Sequence, residues 1–273
     1  MNVIDRDTVM CMSLAARPGN HGNRFHNYLY GELGLNYVYK SFSSSNIADT
    51  IAGVRSLGIR GVSVSMPYKE AVIPLLDHLD PSAQAIESVN TIVNDEGVLT
   101  GYNTDFIAVR LLLASYAIPT ESRFALLGSG GMAKAMLAAL VDHGFTDGVV
   151  VAPRNYERGA RLAERYGVRV VDSLDTVRPQ LLLNATPVGM SGGPESDQLA
   201  FAPEVIAACD AVFDVVYMPR DTPLVKQAEQ FGKRVITGDE VMLLQSLEQF
   251  VLYTGVRPSL AQVDEAETYA SRP

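Results

Sequence analysis

A chain of 273 residues with 47% hydrophobic, 19% charged and 8% aromatic residues, 22 glycines and 14 prolines has the composition of a folded globular protein, which excludes disordered, collagen-like and fibrous classes. Its 22 Lys and Arg against 31 Asp and Glu leave a formal net charge of −9, so neither nucleic acid nor an anionic membrane is expected as a partner, because tracking phosphates takes a basic excess. A small anion held by a few local cations stays compatible with that balance. Apolar runs such as 111–113 and 149–152 fall far short of the roughly 20 residues that span a bilayer, and residues 1–7 carry no apolar core of a signal peptide. Cys11 and Cys209 lie far apart without metal-ligand spacing; both read as reduced, buried thiols of a cytoplasmic protein.

In chain order, strand-like runs at 8–13, 36–42 and 61–65 alternate with helical patterns at 24–33 and 47–57. That βαβαβ order predicts a parallel sheet with right-handed crossovers. A short helix at 81–86 follows, then two runs at 89–93 and 98–102 joined by Asn94-Asp95-Glu96-Gly97, which predict a hairpin. A second series begins at Arg123, with strands expected at 124–127, 149–152, 169–171, 180–184, 211–216 and 234–237, most of them separated by helical segments. Six strands so connected predict a doubly wound sheet. The amphipathic segment 241–253 has no strand after it and is expected to close back on the first domain. The expected architecture is therefore two-domain α/β: a discontinuous domain of 1–105 and 240–273 with a mainly parallel sheet, and a doubly wound Rossmann domain, 106–239, inserted between its pieces.

Gly128-Ser129-Gly130-Gly131-Met132-Ala133 follows an apolar strand and opens the helical run 132–141. In this G-x-G-x-x-A arrangement Gly128 permits a tight turn, Gly130 lets the backbone approach a pyrophosphate, and Ala133 keeps the helix close to the sheet. The free amides at the helix start then face the phosphates. An NAD-specific site usually places an acid at the end of the second strand. Here that strand runs into Pro153-Arg154-Asn155, with Arg158 one turn beyond and no acid at the corner. Two guanidinium groups suit a 2′-phosphate, so NADP is the expected cofactor. Asn184-Ala185-Thr186-Pro187 follows the fourth strand, which places Asn184 and Thr186 at the ligand-binding edge of the sheet beside the cofactor.

In the first domain, Ser63-Val64-Ser65-Met66-Pro67-Tyr68-Lys69 ends a buried strand with a Pro turn and a Lys, and Asn103-Thr104-Asp105 follows the hairpin. Taken alone, Lys69 reads as a solvated helix start and Asp105 as the N-cap of a helix beginning near Ile107. Together with Ser88-Val89-Asn90-Thr91, Gly101-Tyr102-Asn103-Thr104-Asp105, the glycine loop, residues 184–190, Asp214-Val215-Val216-Tyr217-Met218-Pro219 and residues 244–250, these stretches resemble the shikimate dehydrogenase family over essentially the whole chain. The resemblance implies an NADP-dependent oxidoreductase interconverting shikimate and its 3-keto form, with Lys69 and Asp105 as the catalytic pair. It implies substrate contacts from Ser65 (where the family has Thr), Asn90, Tyr217 and Gln245, and a glycine beside the nicotinamide, Gly238. The chemistry agrees: oxidising an alcohol needs a proton acceptor on oxygen while hydride leaves carbon, a role worth roughly 10²- to 10⁴-fold, and an ammonium stabilises alkoxide charge. Which of the two holds the proton stays open, since a coupled pair titrates jointly. The expected partner is a small cyclic hydroxy acid, and the chain is expected to be a monomer or homodimer.

The pattern also departs from the family. Counting back from His26-Asn27, the two serines that grip the substrate carboxylate are replaced by Asn20 and Gly22, and the following Pro by Asn23. Hydrogen bonds to a charged group contribute about 1.5–3 kcal/mol each, so losing even one is expected to weaken shikimate binding about tenfold or more, with Asn20 as one replacement donor and Arg17 or Arg24 as replacement charges. Pro153 stands where the family has Asn, and Val241 replaces a Met near Gly238. These changes resemble the divergent shikimate dehydrogenase-like branch, which implies weak shikimate oxidation. A quinate dehydrogenase and a non-catalytic sensor of dinucleotide and metabolite are the alternatives. No metal is expected, since His21 and His26 lack ligand-spaced partners, and the Tyr28/Tyr30 and Tyr37/Tyr39 pairs read as packing residues.

Overall fold

The computed structural model describes residues 4–271; the first three positions of the segment read above for a leader lie outside them. Two compact units divide the chain, one running to Thr104 and resuming at Leu243, the other Asp105–Met242.

The first unit contains β1 (Val9–Leu14), α1 (His21–Glu32), β2 (Tyr37–Phe42), α2 (Ile47–Ser56), β3 (Gly61–Val64), the single turn α3 (Tyr68–Ala71), β4 (His78–Leu79), α4 (Pro81–Ile86), β5 (Thr91–Asp95) and β6 (Val98–Tyr102). The sheet order is β2-β1-β3-β5-β6-β4. β1 pairs in parallel with both β2 and β3, whereas β5 is antiparallel to β3 and β6. Successive side chains of a strand point to opposite faces, and β1 shows it. Cys11 packs with Phe25, Leu29 and Tyr30 of α1, while Met12 and Leu14 pack with Ile51 and Val54 of α2. The hairpin turns later than the expected 94–97: Asn94 and Asp95 stay in β5, and Glu96-Gly97 alone form the turn, both at positive φ. Two residues at positive φ match the right-handed twist of the flanking strands, and Asn94 Oδ1 accepts from Gly97 N at 2.8 Å to fix that turn.

α5 (Thr104–Ser115) leads into the second unit, which holds β7 (Phe124–Leu127), α6 (Gly131–His143), β8 (Gly148–Val151), α7 (Tyr156–Arg165), β9 (Arg169–Val171), β10 (Leu181–Asn184), α8 (Pro203–Ala208), β11 (Ala211–Asp214), α9 (Pro223–Gln230) and β12 (Arg234–Ile236). Its sheet, β12-β11-β10-β7-β8-β9, is parallel throughout. Read from the other edge this is the 3-2-1-4-5-6 order of the doubly wound dinucleotide-binding fold, with the strand order reversing between β7 and β10. β8, β10 and β11 are buried along their whole length, as parallel strands covered on both faces must be.

α10 (Gly238–Thr254) and α11 (Leu260–Ala270) close the chain. Leu247, Phe250 and Tyr253 of α10 and Val263 and Ala266 of α11 join Cys11 and α1 in one buried cluster, so the last segment returns to the first sheet. α11 was not anticipated, although Ser259 and Gln262 form a full capping box at its start. His21 Nε2 lies 2.9 Å from Glu267, and Tyr28 donates to Glu265 at 3.1 Å, tying α11 to α1. The tyrosine pairs pack internally: Tyr30 lies 5.2 Å from Tyr37, and Tyr39 stacks on His26 at 4.4 Å.

Both cysteines are unpaired and buried; burial pushes the Cys11 thiol up to about 12 and the Cys209 thiol up to about 11, so neither is a thiolate at neutral pH. Among the described residues no helix is long and apolar enough to cross a membrane, and no three His, Cys, Asp or Glu side chains gather as a metal site.

Candidate functional site

In the second unit a cavity of about 500 Å³ opens where β7, β8 and β10 end. Gly128, Ser129 and Gly130 line one side, Arg154, Asn155 and Arg158 another, and Thr186 a third. Gly128 takes φ +120°, and a Cβ there would stand 3.1 Å from the Ala185 carbonyl oxygen, so the turn needs both glycine's conformational range and its missing side chain. Gly130 precedes α6 with nothing near its Cα on the side a Cβ would occupy, leaving the helix start open to an anion. Gly131 begins α6 and is exposed; Met132 is half-buried and Ala133 fully buried. An extended dinucleotide fits this set: a cradle without side chains, a free helix N-terminus and two guanidinium groups. Gly128→Ala is expected to cost about 1–3 kcal/mol of stability through a strained backbone, with a matching fall in melting temperature and loss of NADP binding by calorimetry.

An acid does reach this corner, contrary to the sequence reading. Glu195, from the loop between β10 and α8, lines the same cavity, and Arg154 Nη1 donates to both its carboxylate oxygens at 2.9 Å. Asn155 does two things: it lines the cavity and caps α7, its Oδ1 accepting from Arg158 N at 3.1 Å.

Of the expected cofactor residues, Gly131, Met132, Ala133, Asn184 and Gly238 do not line this cavity. Asn184 is fully buried with its amide committed internally: Nδ2 donates to Asp214 Oδ1 and the Val188 carbonyl, and Oδ1 accepts from Thr186 N and Oγ1. Asn184 therefore positions the 185–188 loop. Asp214 also accepts from Thr222 Oγ1 at 2.7 Å and Val216 N at 3.1 Å; burial pushes its carboxyl above the usual carboxylate range. This network fixes the chain around the half-buried Tyr217. Gly238 is buried, and a Cβ there would run into the Val216 carbonyl oxygen, so its glycine is required by backbone packing.

In the first unit, chain neighbours of several expected site residues meet at Asn90. The Asn90 carbonyl accepts from Val64 N at 2.7 Å, one residue before Ser65, and from Gln249 Nε2 at 3.4 Å, one helical turn beyond Gln245 on α10. Its neighbour Val89 donates its N–H to the Lys69 carbonyl at 2.8 Å. The Asn90 side-chain oxygen accepts from Thr104 N at 2.8 Å, Thr91 Oγ1 at 2.9 Å and Thr104 Oγ1 at 3.2 Å, which fixes the residue immediately before Asp105. With that oxygen saturated, the Asn90 Nδ2 group is buried and has no hydrogen-bond partner. A buried amide left so costs about 1–3 kcal/mol, and its two N–H groups are donors for a polar ligand. Ser65 is exposed, and Lys69 and Gln245 are half-buried. Asp105 is buried inside the first turn of α5, which begins at Thr104; it is not the N-cap, and its charge suits the positive end of that helix.

The altered segment starts α1. Asn20 is the exposed N-cap, but its side chain makes no capping bond. Gly22 lies against Tyr39: a Cβ at 22 would stand 3.2 Å from the ring and 3.3 Å from its hydroxyl, so a serine there needs Tyr39 to give by a few tenths of an ångström. Asn27 holds Tyr39 there, accepting from its N–H at 2.9 Å and donating to its carbonyl at 2.8 Å. That pairing accounts for the Asn of the His26-Asn27 motif.

Comparison with known proteins follows the same division. The family model for the shikimate dehydrogenase substrate-binding domain matches residues 22–92, and that described as NADP oxidoreductase, coenzyme F420-dependent, matches 123–187. The shikimate dehydrogenase-like protein of Haemophilus influenzae is 48% identical over 268 residues, 98% of either chain. The shikimate dehydrogenase (NADP(+)) of Pyrococcus abyssi is 37% identical over 256 residues, 90% of this chain and 93% of that one. A solved shikimate 5-dehydrogenase-like structure superposes with a TM-score of 0.98 at 48% identity, covering 99% of this chain and 100% of the other. The Thermus thermophilus shikimate 5-dehydrogenase in complex with NADP(H) and shikimate gives 0.82 at 31% identity, covering 96% and 99%. On this evidence the chain belongs to the shikimate dehydrogenase family, alongside its divergent shikimate dehydrogenase-like branch.

Proposed function

We propose that this chain is an NADP-dependent oxidoreductase that interconverts shikimate, or a close cyclic hydroxy acid, with its 3-keto form in the cytoplasm. The observation that carries the reading is Asn90: a buried, unpartnered amide whose backbone and side chain are tied to the residues next to Ser65 and Asp105, and whose neighbour is tied to Lys69. A hydroxylated ring offers acceptors for those two N–H groups. A nicotinamide bound at the residue 128–130 cradle would supply the hydride acceptor for the carbinol carbon, and the donor in reverse. Lys69 and Asp105 handle the proton: the pair takes it from the hydroxyl oxygen as the carbonyl forms and gives it back on reduction. The Lys69 ammonium stabilises negative charge on that oxygen. Ser65, Tyr217 and Gln245 are assigned to holding the ring.

Asn20 and Gly22 leave the substrate carboxylate with fewer hydroxyl donors than the family norm. Restoring them by Asn20→Ser with Gly22→Ser is expected to lower KM for shikimate about tenfold at little change in kcat, since each charged hydrogen bond is worth about 1.5–3 kcal/mol and Tyr39 must yield only a few tenths of an ångström. An unchanged KM would detach these positions from carboxylate binding.

The function is tested by following reduced-nicotinamide absorbance with shikimate, quinate and aminoshikimate, each with NADP and NAD. Turnover fastest with shikimate and NADP supports the reading, and turnover fastest with quinate moves the chain to its quinate-oxidising relatives. NADP binding without turnover of any acid would make it a sensor.

A further inference from the structure

We propose that Glu195 is a cofactor-specificity residue: it acts as a built-in counter-ion to Arg154 and weakens this chain's preference for a 2′-phosphorylated dinucleotide. The inference rests on the dinucleotide reading above and adds a residue to it. Arg154 and Arg158 are the two cations of the cavity, and Glu195 holds the first of them through both carboxylate oxygens. The carboxylate is the anchored partner. Its side chain is 24% exposed against 64% for Arg154, and its backbone carbonyl accepts from Gly189 N at 2.9 Å and Gln198 N at 3.1 Å. The long, exposed arginine is the partner that can swing.

A 2′-phosphate arriving at Arg154 therefore meets a fixed negative charge within a few ångströms. It must draw the guanidinium off Glu195 or bind beside a like charge, and either course costs affinity. An unphosphorylated ribose pays neither penalty, because its 2′-hydroxyl can donate to the carboxylate as it does to the acid of NAD-specific sites. Arg158 is left as the phosphate's second cation. The arrangement makes the chain an NADP binder with an attenuated preference, able to use NAD.

The test is calorimetric titration of the full chain with adenosine 2′,5′-bisphosphate and adenosine 5′-monophosphate. Glu195→Gln is expected to bind the bisphosphate about three- to tenfold more tightly, with the monophosphate bound no more tightly than by the parent, and the gain is expected to shrink at high salt. Glu195→Ala is expected to show the same gain, because loss of charge causes it, and adding Arg154→Gln to either variant is expected to abolish it. Bisphosphate affinity that is unchanged or lower in both variants, or that rises in step with the monophosphate, overturns the assignment. If the parent chain itself binds the bisphosphate no better than the monophosphate, the NADP reading fails first and the role of Glu195 falls with it, which separates the two failures.

Discussion

Replacing Lys69 by Ala is expected to lower turnover of shikimate about 10²- to 10⁴-fold, the range spanned by a positioned acid-base group, while NADP affinity stays within about twofold of the parent. The expectation follows from where the residue is held. Lys69 sits on a single helical turn directly after β3, and its carbonyl is tied to Val89 beside Asn90. Its side chain is half-buried, and the loss is expected to fall on kcat with the melting temperature near the parent's. Asp105→Asn is expected to act similarly, and the double variant to be barely worse than either single one, since residues that act as a unit are strongly non-additive. Multiplicative losses in the double variant would show that the two side chains work separately. A Lys69→Ala enzyme with parental kcat would remove the catalytic assignment.

The second large effect concerns acid stability. His26 is wholly enclosed between Tyr39, Phe25, Phe250 and Tyr253, and its Nδ1 has no hydrogen-bond partner. Burial, with a smaller contribution from the nearby His21, lowers its pKa from 6.5 to about 3, while a hydrogen bond with Gln249 opposes the shift. The folded state thus binds fewer protons than the unfolded one below pH 6.5. The stabilisation is fully present above that value and is lost as pH falls toward 3. From this residue alone the chain is expected to lose about 3 kcal/mol between pH 7 and pH 4. His26→Phe keeps a ring in the stack and removes the proton site. Urea denaturation at the two pH values should show a fall about 3 kcal/mol smaller in the variant, and equal falls would mean that His26 becomes protonated within the folded chain.

The two sheets were legible because buried parallel strands read as short apolar runs, and Val149, Val150 and Val151 can hardly be anything else. The glycine loop was legible because Gly128 and Gly130 fall between such a strand and a helix. The internal partner of Asn184 was not legible: a polar residue at the end of a buried strand looks the same in sequence whether it faces a ligand or a buried partner, and here one partner is Asp214, thirty residues on. Glu195 was invisible because the path of the long loop after β10, not local spacing, brings it to Arg154 across forty-one positions. α11 carried its capping box in plain view at Ser259 and Gln262. The sequence reading weighted strands that follow helices, and this helix has none after it. At Gly22 the loss of a hydroxyl was readable, but its cause was not, since Tyr39 reaches that spot only through the pairing of α1 with β2.

Hydride transfer between nicotinamide and a ring carbon of a cyclic acid is read most directly by mass spectrometry of the product formed from 3-dehydroshikimate and NADPH deuterated at the transferring position. Shikimate carrying the deuterium on the carbon that bore the ketone is expected, with the label absent when Lys69→Ala is used for the same time. Unreacted ketone with the parent chain, or a product without deuterium, would contradict that transfer.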